Sequence, residues 1–477
     1  MGNVNDEVIL PKEYQSISYR DYKIIGPHCK DDCIMHDYCF QGVREIYVED
    51  FACQRVQHFA RMAEFAKGGK MTDAEYQKIR DTYPIFNAVV NLTDGCNLRC
   101  PYCFTEHNTR QIDLGTMKTV VNFLIGEINR FEDFNGQPSI AFFGGEPMLR
   151  YDDIIKPFIE WCEETGVIDK YKMNFSMTTN GTLFTEERLK WLREHNVNIL
   201  LSIDGDKTTQ DDQRPGANGS SSFDKIYPMI SRILYYYPGV TFRSAIEPRN
   251  VDKMVENYLF ARRENFLHYF ITPNISADWP LEKIEEACGQ LALIAQIYYQ
   301  DISKGTVPLV WDEFEQMIKD CFTGAETKEI SYNHCGIGTN SIGVATNGDL
   351  NGCQEHNTYC EHDIFYIGNI FTGIDKERHK RLLSEFKGTG HPVCKQIPNL
   401  CKTCSFYNSC ASHFCPSHNL GKGNRLIENE LVVCVWKRFV RELALTILEQ
   451  AAAENNQNFK NYLENLVTGK DRGFAAW

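Results

Sequence analysis

Short apolar runs rich in β-branched and aromatic residues recur along the middle of the chain, at 87–93, 139–143, 173–178, 197–203, 239–246 and 267–272. Between them lie amphipathic stretches with helical spacing, at 115–132, 151–165, 184–195, 222–236 and 251–264. Strand–helix alternation of this length predicts a parallel sheet with crossover helices. Six units fall short of the eight that close a full TIM barrel. The expected α/β fold is therefore an open, partial TIM-like (β/α)6 barrel over 87–304, completed by one helix at 281–303. From about 320 the texture changes to short strands dense in Cys, Gly, Asn and His, which predicts a small cysteine-rich domain over 305–445. Helical spacing returns at 437–466, giving a helical tail over 446–477. Residues 1–86 form a small N-terminal domain whose best helix falls at 53–67.

Composition narrows the function. Lys plus Arg number 50 and Asp plus Glu 64, a formal charge of −14. That balance argues against a phosphate-tracking nucleic-acid surface, which depends on clustered cations. No run of 18 apolar residues is present, so no membrane span is expected. The first residues lack the basic and apolar regions of a secretory signal, so a cytoplasmic location is expected. In that reducing setting 19 cysteines are better explained by metal binding or chemistry than by disulfides.

Cys96, Cys100 and Cys103 read C-x3-C-x2-C directly after the first strand. Three thiolates on one tight loop suit three corners of a [4Fe–4S] cluster and leave the fourth iron open. A single structural zinc would want four ligands, and His107 could supply the last. The spacing alone leaves both open. The next strand ends bear on the choice. Gly144-Gly145-Glu146-Pro147 closes the second strand, Thr179-Asn180-Gly181 the third, and Ser202-Ile203-Asp204-Gly205 the fourth, with Arg214 soon after. Glycines permit close backbone approach, and the C-terminal ends of parallel strands are where such folds place chemistry. Together they describe a mouth for a zwitterionic ligand, although Thr179 and Ser202 could equally be capping strand ends.

The motifs CNLRCPYCF, FFGGEP, TTNGT and SIDGDK resemble those of the radical S-adenosylmethionine (radical SAM) enzymes over about 87–300. The resemblance implies that Cys96, Cys100 and Cys103 ligate the cluster and that Tyr102 sits by the adenine of S-adenosylmethionine. It further implies that Gly144, Gly145 and Glu146 hold the methionyl ammonium. Thr179, Asn180, Ser202 and Arg214 would line the rest of the cofactor site. Sulfatase-maturing relatives often have Gln before GGEP, where this chain has Phe143.

Farther on, Cys335 and Cys353 frame a C-x12-G-x4-C pattern. Cys401, Cys404, Cys410 and Cys415 follow as C-x2-C-x5-C-x4-C, and Cys434 ends the series. Zinc is the alternative reading of such spacings. The arrangement resembles the SPASM extension of radical SAM enzymes, which carries two auxiliary [4Fe–4S] clusters, and the run 365–370 (FYIGNI) resembles it too. The usual spacing has three residues before the last cysteine of the run, against four here. The resemblance implies Cys335, Cys353 and Cys415 on the nearer cluster, with Cys321 a candidate fourth ligand. It implies Cys401, Cys404, Cys410 and Cys434 on the outer one. An open nearer cluster could take a substrate thiolate. Sulfatase maturases place Asp, the base, directly after the second cysteine. Here Gln354 stands there, followed by Glu355 and His356, which are either a catalytic base or a solvated loop.

His28, Cys29, Cys33, His36, Cys39 and Cys53 could bind a metal or be plain buried thiols. Residues 6–66 have the size of a leader-recognition domain that pairs a peptide as an added strand. Cys162, Cys288, Cys360 and Cys394 show no partner spacing and read as core or loop thiols. The expected protein is a radical SAM oxidoreductase with S-adenosylmethionine and three [4Fe–4S] clusters, fed by a reductant such as flavodoxin or ferredoxin. Its expected substrate is a ribosomally made precursor peptide with a leader, in which a Cys sulfur-to-carbon thioether forms. A carbon–carbon or carbon–oxygen crosslink, or maturation of a protein side chain as in sulfatase or quinohaem enzymes, is the alternative chemistry. An iron–sulfur electron carrier or a zinc-stabilised interaction protein is the non-enzyme alternative.

Overall fold

Alternation decides the architecture. Burial alternates along β3 (Asn174–Thr179) and over the first part of β1 (Asn87–Thr93), β2 (Ser139–Gly144) and β4 (Val197–Ser202). Val90, Phe142, Met177 and Ile199 stand in register across these four strands and join the helix-covered core. The intervening positions, Val89, Ala141, Phe143, Thr178 and Leu200, stay partly exposed. They line an open inner face. The same pattern continues in β5 (Thr241–Ile246) and β6 (His268–Pro273), where Arg243 and Phe270 share the inner layer with Ser202.

The computed structural model describes residues 71–323, 336–357, 363–386, 393–394, 415, 417, 419 and 428–469. Strands β1 to β6 lie side by side in chain order, all parallel, followed by β7 (Val310–Trp311). Each connection from β1 to β7 steps the same way along the sheet, and the sheet curls as a partial barrel that is not closed. The crossover helices are α2 (Leu114–Ile128), α3 (Lys156–Glu164), α4 (Glu186–Glu194), α5 (Lys207–Gln213) with α6 (Ile230–Tyr236), and α7 (Met254–Arg263). Side-chain caps start several of them: Asp113 accepts from Thr116 N, Thr185 from Arg188 N and Asp206 from Thr209 N.

Prolines break two of the expected helices. The 151–165 stretch opens with a π-turn at Tyr151–Ile155, next to Pro157, and the 222–236 stretch is interrupted at Tyr227–Met229, which contains Pro228. A ring without an N–H cannot continue the i→i−4 ladder. Helix α8 (Leu281–Ser303) has the bounds the sequence predicts.

Of the helices that were not foreseen, two flank the barrel strands β1 to β7. One is α1 (Asp73–Thr82), which Thr72 and Glu75 start with a capping box. The other, α9 (Asp312–Thr323), carries Cys321. The sheet also continues beyond β1. Strand β8 (Ser341–Val344) pairs with it in parallel, and β9 (Asp349–Asn351), β10 (Tyr366–Asn369) and β11 (Gly373–Ile374) follow antiparallel. Helix α10 (Lys376–Phe386) lies against β10. At the far side α11 (Leu431–Ala453) packs on α8 and α9, and α12 (Gln457–Thr468) on α8. The break between these last two follows the positive φ of Asn455 and the Asn456 cap.

The helix expected at 53–67, the leader-recognition reading of 6–66, and His28, Cys29, Cys33, His36, Cys39 and Cys53 lie outside the described residues, as do Cys335, Cys360, Cys401, Cys404 and Cys410. Of Cys394 only the main chain is described. No described helix is long and apolar enough to cross a membrane.

Candidate cofactor site at the barrel mouth

The cysteine loop leaves β1 at Thr93 and is clamped from both sides. On one side Gly145 N donates to Thr93 O at 2.8 Å and Glu146 N to Gly95 O at 3.0 Å. A Cβ at Gly145 would stand 2.1 Å from Gly95 O, and one at Gly144 2.2 Å from Thr93 O. The two glycines therefore serve the close contact between the GGEP turn and the root of the cysteine loop. On the other side Arg99 N donates to Pro215 O at 2.8 Å and Ala217 N to Asn97 O at 2.9 Å. A turn closes the loop with Cys103 N donating to Cys100 O at 3.0 Å.

The carboxylate of Glu146 faces inward. It accepts from Thr179 Oγ1 at 2.7 Å, Met148 N at 3.0 Å and Asn180 N at 2.8 Å. Burial raises its pKa against the pull of these bonds. The side chain thus braces the ends of β2 and β3, and what it offers the mouth is main chain. Asn180 also donates to Asn97 Oδ1 at 3.0 Å, and Asn97 to Thr182 Oγ1 at 2.8 Å, so the TNGT turn holds the loop by its second residue.

Burial pushes the Cys96 thiol up to about 12 and the Cys100 thiol to about 11. Thiolates at these positions call for a cation beside them, as the irons of a cluster would supply. Cys103 is exposed at the rim. Three thiols on one clamped loop, two of them half-buried and one at the surface, fit a cluster with one uncovered corner. Burial lowers the His107 pKa, and its Nδ1 makes no hydrogen bond among the described residues; no three His, Cys, Asp or Glu side chains among those residues are gathered for a single metal ion.

Beneath the loop lies a network that the sequence reading passed over. Asp204, fully buried just past β4, accepts the hydroxyl of Tyr102. Arg214 Nε stands 2.9 Å from its Oδ2, and Arg214 Nη2 donates to Oδ1 at 3.2 Å. Ala245 N donates to the same Oδ1 at 3.0 Å. Against the cost of burial, Asp204 holds the Arg214 pKa above its ordinary value. The guanidinium lies 5.5 Å from the Tyr102 ring centre. Ser202, one layer inside, pairs in register with Arg243. Arg243 was likewise missed. Burial and the neighbouring Arg214 lower its pKa, while Glu355 pulls the other way. Phe143 stacks on Phe104, with ring centres 6.2 Å apart.

The short turn 354–357 docks on the inner side of β1, where Asn357 Nδ2 donates to Asn91 Oδ1 at 3.1 Å and Val344 O at 3.1 Å. Glu355 is partly exposed there, within electrostatic reach of Arg243. His356 is separated from it in role: its ring is buried, stacks on Phe365 at 3.7 Å, and shares a 2.7 Å hydrogen bond with Ser417 Oγ. Cys353 is buried at the start of this turn, and Cys321, Cys415 and Cys434 are partly exposed. Cys162 and Cys288 are buried.

Residues 90–288 match the Radical SAM superfamily. The chain is 33% identical over 181 residues to a cysteine-type anaerobic sulfatase-maturating enzyme of Clostridium novyi (strain NT), covering 36% of this chain and 47% of that protein. It is 29% identical over 345 residues to a protein of the same name from Clostridium perfringens (strain 13 / Type A), covering 69% and 88%. The first match thus spans about half of its relative's length. Among solved structures, native anSMEcpe with bound AdoMet and Cp18Cys peptide superposes with a TM-score of 0.60 at 20% identity, over 78% of this chain and 100% of that chain. That likeness is one of fold.

Proposed function

We propose, from the match of residues 90–288 to the Radical SAM superfamily, that the chain is a peptide- or protein-modifying maturase of the SPASM type. The observation that carries this reading is the cysteine loop, clamped between the GGEP turn and residues 215–217 above a buried Asp204–Tyr102–Arg214 network. In this reading Cys96, Cys100 and Cys103 hold a [4Fe–4S] cluster, and S-adenosylmethionine lies over the adjoining strand ends. Together these groups supply a 5′-deoxyadenosyl radical able to take a hydrogen atom from carbon.

The chain's own residues do the positioning. Main chain of Gly144, Gly145 and Glu146 meets the ammonium, and Arg214 and Ser202 meet the carboxylate and ribose end. Tyr102, fixed by Asp204, flanks the adenine. The inner face beyond, with Phe143, Leu200, Arg243 and Phe270, receives the substrate side chain. Glu355 is the group on that face suited to accept a proton, whereas the packing of His356 suits a supporting role.

The region around Cys321, Cys335, Cys353, Cys401, Cys404, Cys410, Cys415 and Cys434 would hold two auxiliary clusters. The substrate would be a ribosomally made precursor peptide, the bond a thioether, and the reductant a flavodoxin or ferredoxin. A second reading is sulfatase-type maturation, favoured by the 88% coverage of the Clostridium perfringens relative. Gln354, in place of Asp after Cys353, speaks for a different geometry of proton removal.

Iron and sulfide analysis of the reconstituted protein tests the cofactor set: three clusters give about twelve irons per chain. Mass spectrometry of candidate peptides then separates the chemistries. A two-hydrogen loss with a blocked thiol marks the thioether, and a formylglycine marks the sulfatase reading.

A further inference from the structure

Arg243 is the sole Lys, Arg, Asp or Glu within strands β1 to β6. It stands in the inner layer, in register with Ser202 on β4 and Phe270 on β6. Its guanidinium lies 5.9 Å from the Phe270 ring centre, and Phe270 is 36% exposed, so the wall is open to the barrel interior here. An aromatic ring steadies a guanidinium without using its N–H donors. Among the described residues those donors form no ion pair and no hydrogen bond.

The surroundings act on this charge from both sides. Burial and the neighbouring Arg214 work against it, and Asp204 works for it. The oxygens of Asp204 are already engaged, however. Its Oδ1 accepts from Arg214 Nη2 and Ala245 N, and its Oδ2 takes the Tyr102 hydroxyl and stands 2.9 Å from Arg214 Nε. Glu355, on the turn docked against β1, pulls more weakly than Asp204. A desolvated cation is costly unless an anion and its hydrogen bonds compensate it. An arriving carboxylate would therefore gain more at Arg243 than at Arg214, whose charge Asp204 already meets.

We propose that Arg243 is a specificity residue that receives a carboxylate of the peptide substrate, so that the substrate carries an acidic group close to the carbon that is attacked. This inference rests on the radical SAM reading given above, and it names the substrate chemistry of that same site. Arg243 feels both Arg214, placed at the cofactor, and Glu355, placed at the substrate. A carboxylate held there is therefore fixed between the two. A guanidinium–carboxylate contact can be bidentate, which sets direction as well as position. An Asp or Glu side chain and a free C-terminus offer the same contact.

The test is a binding selection, which needs no turnover. Reconstituted full-length protein loaded with S-adenosylhomocysteine is equilibrated with randomised heptapeptides. One pool has free C-termini and the other amidated ones, and retained peptides are sequenced by mass spectrometry. The wild-type protein enriches Asp and Glu over Asn and Gln if a side chain is held, or free over amidated ends if a terminus is held. Arg243→Met loses that enrichment about tenfold, and Arg243→Lys keeps part of it. Arg243→Glu turns it toward Lys and Arg, an inversion that a fold element would not give. Without peptide, Arg243→Met melts no lower than the wild type, because a buried charge has been removed before its ligand arrives. The absence of any carboxylate preference in the wild type, or the same preference in Arg243→Met, overturns the proposal alone. Weaker binding of S-adenosylmethionine by Arg243→Met with the peptide preference intact assigns the guanidinium to the cofactor and likewise overturns it. A reconstituted wild-type protein that binds no S-adenosylmethionine overturns the radical SAM reading, and the proposal with it.

Discussion

Arg214 and Asp204 form a buried ion pair at 2.9 Å directly under the cysteine loop. The same carboxylate takes the hydroxyl of Tyr102, the residue before Cys103. One side chain therefore fixes two groups that the proposed function places at the cofactor. Asp204→Asn leaves a buried guanidinium uncompensated, at a cost of about 3–5 kcal/mol, readable by urea unfolding. The KM for S-adenosylmethionine should rise more steeply than the first-order rate falls. An unchanged KM would mean that the pair is a fold element only.

Glycines at the GGEP turn and in helix α2 should respond in opposite ways. Gly145→Ala drives a methyl into Gly95 O, displacing the root of the cysteine loop. Iron assays should show the loss of this site's cluster while auxiliary iron remains. Gly126 has nothing within 4 Å of a built Cβ and lies inside α2. Gly126→Ala should stabilise the protein by about 0.5–1 kcal/mol, measured by the same unfolding curves.

His379 should make stability fall in acid. Burial drops its pKa to about 4. The ring joins Tyr76 Oη, at 3.1 Å, to the main chain of Gly338. The folded form stays neutral while the unfolded chain binds a proton near 6.5. The stabilisation is full above about pH 6.5 and is lost as pH falls toward 4, by about 3 kcal/mol in all. Melting curves between pH 7.5 and 4.5 should show the decline, and His379→Gln should flatten it.

Much of this was legible in the chain because strand period and loop chemistry are local. The bounds of β1 to β6 and of α8 follow from alternating and helical spacing, and the cysteine loop from its position after β1. What escaped was non-local. Asp204 reads as part of a SIDG turn, and nothing in the sequence says that its carboxylate meets Tyr102, 102 residues away. The pairing of β8 with β1, which extends the barrel sheet into the cysteine-rich region, depends on tertiary contact alone. Glu146 reads as a ligand by type, yet its oxygens are taken by Thr179, Met148 and Asn180. The signal for α1 was present in the Thr72-x-x-Glu75 capping box.

Glu355 and His356 should separate by assay. Glu355→Gln should keep the fold and the formation of 5′-deoxyadenosine while peptide product falls. His356→Ala removes a ring packed on Phe365 and bonded to Ser417. It should cost about 2 kcal/mol of stability, seen as a lower melting temperature. Unimpaired product formation by Glu355→Gln would remove it as the proton acceptor.

The central claim is tested most directly by quantifying 5′-deoxyadenosine and methionine after reconstituted protein, reduced with dithionite, is incubated with S-adenosylmethionine. The wild-type chain should release both in equal amounts, and Cys100→Ala neither, although that variant should keep the iron of the proposed auxiliary clusters. Intact S-adenosylmethionine with the loaded wild-type protein, or undiminished cleavage by Cys100→Ala, would contradict the account.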